Sequence, residues 1–170
     1  MRTLKRYDEA IANFNKAIEL QPKYPIALNN RGLIKNIIKK YDEAILDYSK
    51  AIEYKPNYPE AFNNRGVAYR NSGRFEESLR DFNKAIELQP NYSKAYNERG
   101  VLMANQNKFD LALNDYNRAI QFQPDYGNAY YNRGLCELST GNKANACKDL
   151  QVAASAGLQY AVEEYNRSCK

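Results

Sequence analysis

Histidine is absent from this 170-residue sequence, which removes the commonest general base and the commonest metal ligand together. Cysteine is scarce. Cys136, Cys147 and Cys169 fall late in the chain, with neither a C-x-x-C pair nor any zinc spacing. An odd count is a poor disulfide framework, so reduced thiols in a cytosol-like compartment are the default expectation. A Gly-rich phosphate loop is missing, and every Asp and Glu is accounted for by helix surface or by periodicity. No catalytic set, metal site or cofactor is expected, and the chain is not expected to be an enzyme. No apolar run approaches the ~18 residues that cross a bilayer, and no signal peptide opens the chain. No membrane partner is expected. A cytoplasmic location is the default, left open if the N-terminus is a truncation.

Concentrated charge is also lacking. The net charge is +5 and the pI about 9.0, but Lys and Arg are interleaved with Asp and Glu along the whole length. A nucleic-acid binder more often gathers its basic residues in a stripe or tail, so nucleic acid is the less favoured partner.

What is present is repetition. Closely similar segments begin at Tyr7, Tyr41, Phe75 and Phe109, at equal intervals of 34 residues. In the second segment Tyr41, Ala44, Ile45, Tyr48, Ala51 and Ile52 fall at helical spacing. Pro22, Pro56, Pro90 and Pro124 stop the successive helices. A further helix follows each stop, with Pro59 placed in a first turn, where a missing N–H costs nothing. It ends near Ser72-Gly73, where glycine can take a left-handed cap. Each unit is therefore a helical hairpin. One hairpin cannot bury both faces, and stacked copies make a continuous core.

In this register the sequence resembles the tetratricopeptide repeat family, as an array of the bacterial type, across nearly all of the chain. Gly32, Gly66, Gly100 and Gly134 match the family glycine. Ala10, Ala44, Ala112 and Ala146 match its small residue, with Ser78 as a substitute. Phe14, Tyr48, Phe82 and Tyr116 fill the aromatic site, which Leu150 takes over in the last unit. Ala17, Ala51, Ala85, Ala119 and Ala153 match as well. The implied fold is all-α, a right-handed superhelical solenoid of antiparallel helix hairpins forming a single array over 1–170. Full repeats are expected at 25–58, 59–92, 93–126 and 127–160, the last divergent. Residues 1–21 supply an orphan second helix of a truncated repeat, with a remnant of the first in Met1–Leu4. Residues 159–168 form a capping helix with Tyr160, Ala161 and Tyr165 on one face and Glu163, Glu164 and Arg167 polar.

Two departures from the family pattern stand out. The residue before the glycine is usually leucine but is Arg31, Arg65, Arg99 and Arg133 here. Asp47, Asp81 and Asp115 recur with the same period and are the natural partners of these arginines. The aromatic usual three residues after the glycine survives only as Tyr69.

The resemblance implies a protein-binding scaffold whose first helices line a concave groove for an extended peptide or a partner's helix. Matching groove positions include Ile26, Asn29, Asn30, Leu33 and Asn36 on one first helix, and Glu60, Asn63, Asn64, Val67 and Asn71 on the next. Lys94, Asn97, Glu98, Val101 and Asn105 follow, then Asn128, Tyr131, Asn132 and Leu135. An amide can donate to one backbone and accept from it, so this set is similar to the asparagine ladder of the O-GlcNAc transferase repeats. The alternative is that asparagine merely decorates solvated helix. A carboxylate clamp is rejected, because its five positions read Asn29, Leu33, Asn64, Lys94 and Glu98, and Glu98 repels a C-terminal carboxylate. The unpartnered N-terminal helix, with Ile11, Phe14 and Ile18, points to a fragment of a longer array. The other reading is a homo-oligomer, or a self-assembling array, in which another copy covers that face. Cys136 and Cys147 fall at core positions near the turn of one hairpin and read as buried structural thiols; in an exported protein a disulfide between them is the alternative. Cys169 is a tail thiol without a nameable partner.

Overall fold

The computed structural model describes residues 2–170, with side chains described from residue 6 onward. All regular structure among them is α-helical, and the chain divides into two compact units, Met1–Pro90 and Asn91–Lys170. The first unit holds α1 (Arg2–Leu20), α2 (Pro25–Ile37), α3 (Tyr41–Tyr54), α4 (Pro59–Asn71) and α5 (Phe75–Leu88). The second holds α6 (Ser93–Asn105), α7 (Phe109–Phe122), α8 (Gly127–Ser139), α9 (Lys143–Ser155) and α10 (Gln159–Cys169). Met1 lies outside the described residues. α1 runs unbroken from Arg2, so Arg2–Leu4 continue that helix instead of forming a remnant of an earlier one.

The hairpins are α2/α3, α4/α5, α6/α7 and α8/α9. Their tight turns carry one left-handed residue each, at Lys39 (φ 64°), Gly73 (79°), Asn107 (58°) and Gly141 (85°). Gly73 is the cap expected from sequence, whereas Lys39 and Asn107 hold the same conformation with a Cβ. Pro25 and Pro59 sit in the first turns of α2 and α4, and Pro22 and Pro56 follow the ends of α1 and α3.

Crossing of the paired helices is set by a ring on a glycine. A Cβ on Gly32 would stand 2.8 Å from the Tyr48 ring, one on Gly66 2.8 Å from Phe82, and one on Gly100 2.6 Å from Tyr116. Only a backbone without a side chain admits a ring at that depth. Tyr48, Phe82, Tyr116 and the substitute Leu150 are all buried. Ser78, where the other repeats place Ala, satisfies its hydroxyl by donating to the Gly66 carbonyl at 2.8 Å. In the first unit Leu28, Ala51, Tyr58 and Ala61 form one core cluster, with Ile18 of α1 against it. Ile11 and Phe14, expected to be partly uncovered, are half-buried.

The arginines that replace leucine make the predicted pairs. Arg31 donates from Nε and Nη2 to both oxygens of Asp47, at 2.8 and 2.5 Å. Arg65 does the same to Asp81, Arg99 to Asp115 and Arg133 to Asp149, all between 2.6 and 2.9 Å. Asp149 had not been paired from sequence. Arg31, Arg65 and Arg133 also reach backward, donating from Nη1 to Asn15, Ser49 and Asn117 respectively. One side chain thus ties the first helix of a repeat to the second helices before and after it.

Cys136 is the buried thiol expected from its core position, whereas Cys147 and Cys169 depart from the sequence reading. Cys147 is bonded to Cys169, with their Cα atoms 5.6 Å apart, and Cys136 is the buried free cysteine. Cys136 faces α7, its Sγ 3.8 Å from the Phe109 carbonyl oxygen, whereas Cys147 faces α10. Proximity to one turn put Cys136 and Cys147 together on paper. The rotation of their helices points them at different neighbours. The supposed tail thiol Cys169 ends α10 and staples it to α9.

Candidate functional site

The first helices of each unit present the residues singled out from sequence, but not all to solvent. Asn29, Asn63, Asn64 and Asn97 are buried, at 6, 0, 9 and 2% exposure. Asn29, Asn64 and Asn97 are spent on neighbouring helices. Asn64 Nδ2 donates to Asn29 Oδ1 at 3.1 Å across α4 and α2, and Asn132 Nδ2 donates to Asn97 Oδ1 at 2.9 Å across α8 and α6. A third rung joins Asn71 to Asn36 at 3.3 Å. Asn63 has its amide 3.5 Å from Asn64 Oδ1, and its own Oδ1 has no partner. The recurrent asparagine therefore has a structural use: a short polar side chain bridges successive first helices where either an ion or an alkyl group would fit poorly.

The remaining members of the set stay accessible. On α2 the outward face carries Ile26 at 49%, Leu33 at 40% and Ile37 at 51% exposure, with half-buried Asn30 between them. These apolar residues are spaced along one helix face, an arrangement that single scattered surface residues do not produce. On α4, Glu60 is exposed and Val67 half-buried. In the second unit Lys94 and Asn128 are exposed, and Glu98, Tyr131 and Asn132 are half-buried. Val101, Asn105, Asn132 and Leu135 from α6 and α8 open a recess of about 400 Å³ whose floor reaches Tyr116 and Cys136. Burial, with the charges of Glu137 and Asp110, pushes the Cys136 thiol up, so the floor of the recess is uncharged at neutral pH.

Sequence reasoning missed the part α10 plays. It assigns Tyr160 to the packed face of a cap, yet Tyr160 is 44% exposed while Ala161 and Glu164 are buried. Ala161 stands where Ala61, Ala95 and Ala129 stand in the earlier first helices, all fully buried. In that register Tyr160, Glu163, Glu164 and Arg167 fall at the groove positions of a first helix. The signal was present but displaced, because the interval from Ala129 to Ala161 is two residues shorter than the period. Tyr160 packs edge-on against Tyr131 of α8, ring centroids 4.6 Å apart, and its hydroxyl donates to Asn128 Oδ1. The nearby Tyr126 hydroxyl is pushed up to about 12 by burial and by the charge of Glu98, against a hydrogen bond from Asn128.

Comparison with known proteins agrees with this architecture. Tetratricopeptide repeat models match residues 59–92 and 82–114, and a TPR repeat model matches 2–35, 38–73 and 104–136. The chain belongs to the tetratricopeptide repeat family. Among solved structures it is similar to MamA, at 24% identity over 94% of each chain with a TM-score of 0.74. It is similar to TTC0263, a thermophilic TPR protein of Thermus thermophilus, at 20% identity over 98% of this chain and 92% of that one, TM-score 0.84. It also resembles the first TPR of Spaghetti (RPAP3) bound to the HSP90 peptide SRMEEVD, at 29% identity over 69% of this chain and 93% of that one, TM-score 0.64. A search of curated protein sequences finds no match. The family and its fold make this chain a protein-interaction scaffold in the general sense. Among the described residues, no helix is long and apolar enough to cross a membrane.

Proposed function

We propose that the accessible face of the first helices binds a polypeptide segment of a partner protein, extended or helical. The observation that carries this reading is the apolar stripe Ile26, Leu33 and Ile37 on α2, set beside the half-buried amide of Asn30. Water-exposed alkyl groups in a row gain from being covered, and a neighbouring amide can hold a backbone in register. The peptide held by the RPAP3 repeat supports the reading by likeness. In the second unit the recess beside Val101, Asn132 and Leu135 offers room for a side chain of the bound segment. Asn29, Asn64 and Asn97 serve this face from behind, by tying its successive helices together.

The test uses peptides selected from a random twelve-residue library on the whole protein. Leu33→Asp and Leu135→Asp should weaken the selected peptides about tenfold or more, since each puts a charge into a contact that burial makes apolar. Leu46→Asp and Leu111→Asp, on exposed second-helix positions, should leave affinity unchanged. The opposite pattern would show that the second helices carry the binding.

A further inference from the structure

The corner between α8 and α10 has a chemistry unlike the rest of the first-helix face. A recess of about 210 Å³ is lined by Tyr131, Tyr160, Glu163, Glu164 and Arg167. Its two rings stand at 73° to one another, so they form adjoining walls instead of a stack. Glu164 is buried and already engaged, accepting from Arg167 and, at 2.6 Å, from the Ser168 hydroxyl. Glu163 is exposed and has no hydrogen bond or ion pair among the described residues. The two carboxylates against one guanidinium leave the recess with one surplus negative charge.

We propose that this recess takes the cationic side chain, lysine or arginine, of the polypeptide bound along the first helices of the second unit. The ring faces of tyrosine carry negative electrostatic potential and attract a cation placed over them. Glu163 supplies the counter-charge that Arg167, occupied by Glu164, does not neutralise. The Tyr131 hydroxyl fits such a field: burial and the Glu164 charge push its pKa up, with Arg167 working against them. An acidic side chain would meet repulsion here, and an apolar one would leave Glu163 without a partner. The disulfide from Cys169 to Cys147 fixes the far end of α10, which holds the Tyr160 wall in place before a ligand arrives and lowers the ordering cost of binding. The inference rests on the groove reading above and specifies one subsite within it.

The experiment is a selection from a random twelve-residue peptide library on the intact, oxidised protein, repeated on Glu163→Gln and on Tyr160→Ala. Helical circular dichroism of each variant verifies that it folds. With the wild type, lysine or arginine should be enriched at one fixed position of the recovered peptides. Glu163→Gln and Tyr160→Ala should each reduce that enrichment, and Glu163→Gln should weaken a selected lysine peptide roughly fivefold, the scale of one exposed charge contact. Replacing its lysine by norleucine should weaken binding to the wild type by a larger factor than it weakens binding to Glu163→Gln. Peptides that depend on Leu33 or Leu135 but show no basic position, or a basic preference undiminished in both Glu163→Gln and Tyr160→Ala, would overturn the subsite while the groove reading stands. Recovery of no peptide that depends on Leu33 or Leu135 would overturn both.

Discussion

Arg133 on α8 grips Asp149 on α9 through two parallel hydrogen bonds of 2.6 and 2.7 Å, while its remaining nitrogen donates to Asn117 on α7. The same fork recurs at Arg31, Arg65 and Arg99, where the family ordinarily packs a leucine. Planar guanidinium matches carboxylate in two places at once, so the pair fixes orientation as well as distance. The aspartates are nearly enclosed, at 5 to 9% side-chain exposure, and the arginines are 17 to 24% exposed.

Removing one partner should therefore hurt more than removing both. Asp149→Ala leaves a guanidinium in a partly dry site and should lower unfolding free energy by about 2–3 kcal/mol, the lower side of what a fully buried pair shows. The double variant Arg133→Leu with Asp149→Leu should recover at least half of that loss. Urea unfolding of the wild type, Arg133→Leu, Asp149→Leu and the double variant closes a double-mutant cycle that measures the coupling. Purely additive losses would show that the pair is ornamental.

The ring-on-glycine crossing predicts a loss where helix propensity alone predicts a gain. Alanine in place of Gly100 should add about 1 kcal/mol to the stability of an isolated helix. Here its Cβ would sit 2.6 Å from a ring carbon of Tyr116, itself 1% exposed. Moving that ring disturbs a packed interior at about 1–3 kcal/mol. Thermal unfolding of Gly100→Ala should show a lowered midpoint, and a raised one would contradict the packing described.

Tyr48 is fully buried and its hydroxyl has no hydrogen-bond partner. The equivalent position in the next repeat is Phe82. Tyr48→Phe should stabilise the protein by about 1 kcal/mol, because an unsatisfied buried hydroxyl is lost and nothing is broken. Burial, followed by the Asp47 charge, also pushes the Tyr48 pKa up. A tyrosine harder to ionise when folded has its full stability below the unfolded value near pH 10 and loses it as the pH rises beyond. Above about pH 10 the wild type should lose stability faster than Tyr48→Phe, as denaturant melts at stepped pH would record.

The helical hairpins and the Arg–Asp pairing were legible because each depends on residues that recur in register. Pro59 in a first turn, Gly73 in a left-handed cap and Arg65 with Asp81 are local or periodic signals, and helix geometry converts them directly into neighbours. The candidate site was legible only in part. Which face of α4 carries Asn63 and Asn64 could be read, but not that Asn63 is sealed behind that face. Burial of Asn63 depends on how closely successive first helices approach, which spacing along one helix does not encode. The role of Tyr160 was lost to a two-residue shortening of the last interval. The pairing of Cys147 with Cys169 depended on helix rotation, which proximity in sequence does not supply.

That pairing is itself measurable. Denatured without reductant, the protein should show one reactive thiol, Cys136. In the native state it should show none within minutes at pH 8, since Cys136 is buried and its thiol is pushed up above the ordinary range. Reduction should expose two more thiols and loosen α10, at a loss of up to about 3 kcal/mol for a loop of this size. Three thiols in the denatured, unreduced protein would contradict the staple.

The central claim is that the first helices carry the binding face, and amide chemical-shift mapping tests it most directly. A peptide selected on the protein is titrated into the isotopically labelled chain, and the perturbed backbone resonances are located. The account predicts shifts concentrated at Asn30, Leu33 and Val67 in the first unit, or at Tyr131, Asn132 and Leu135 in the second, with Leu46, Leu111 and Val152 on the second helices undisturbed. Shifts centred on Leu46, Leu111 and Val152, with the first helices silent, would contradict it.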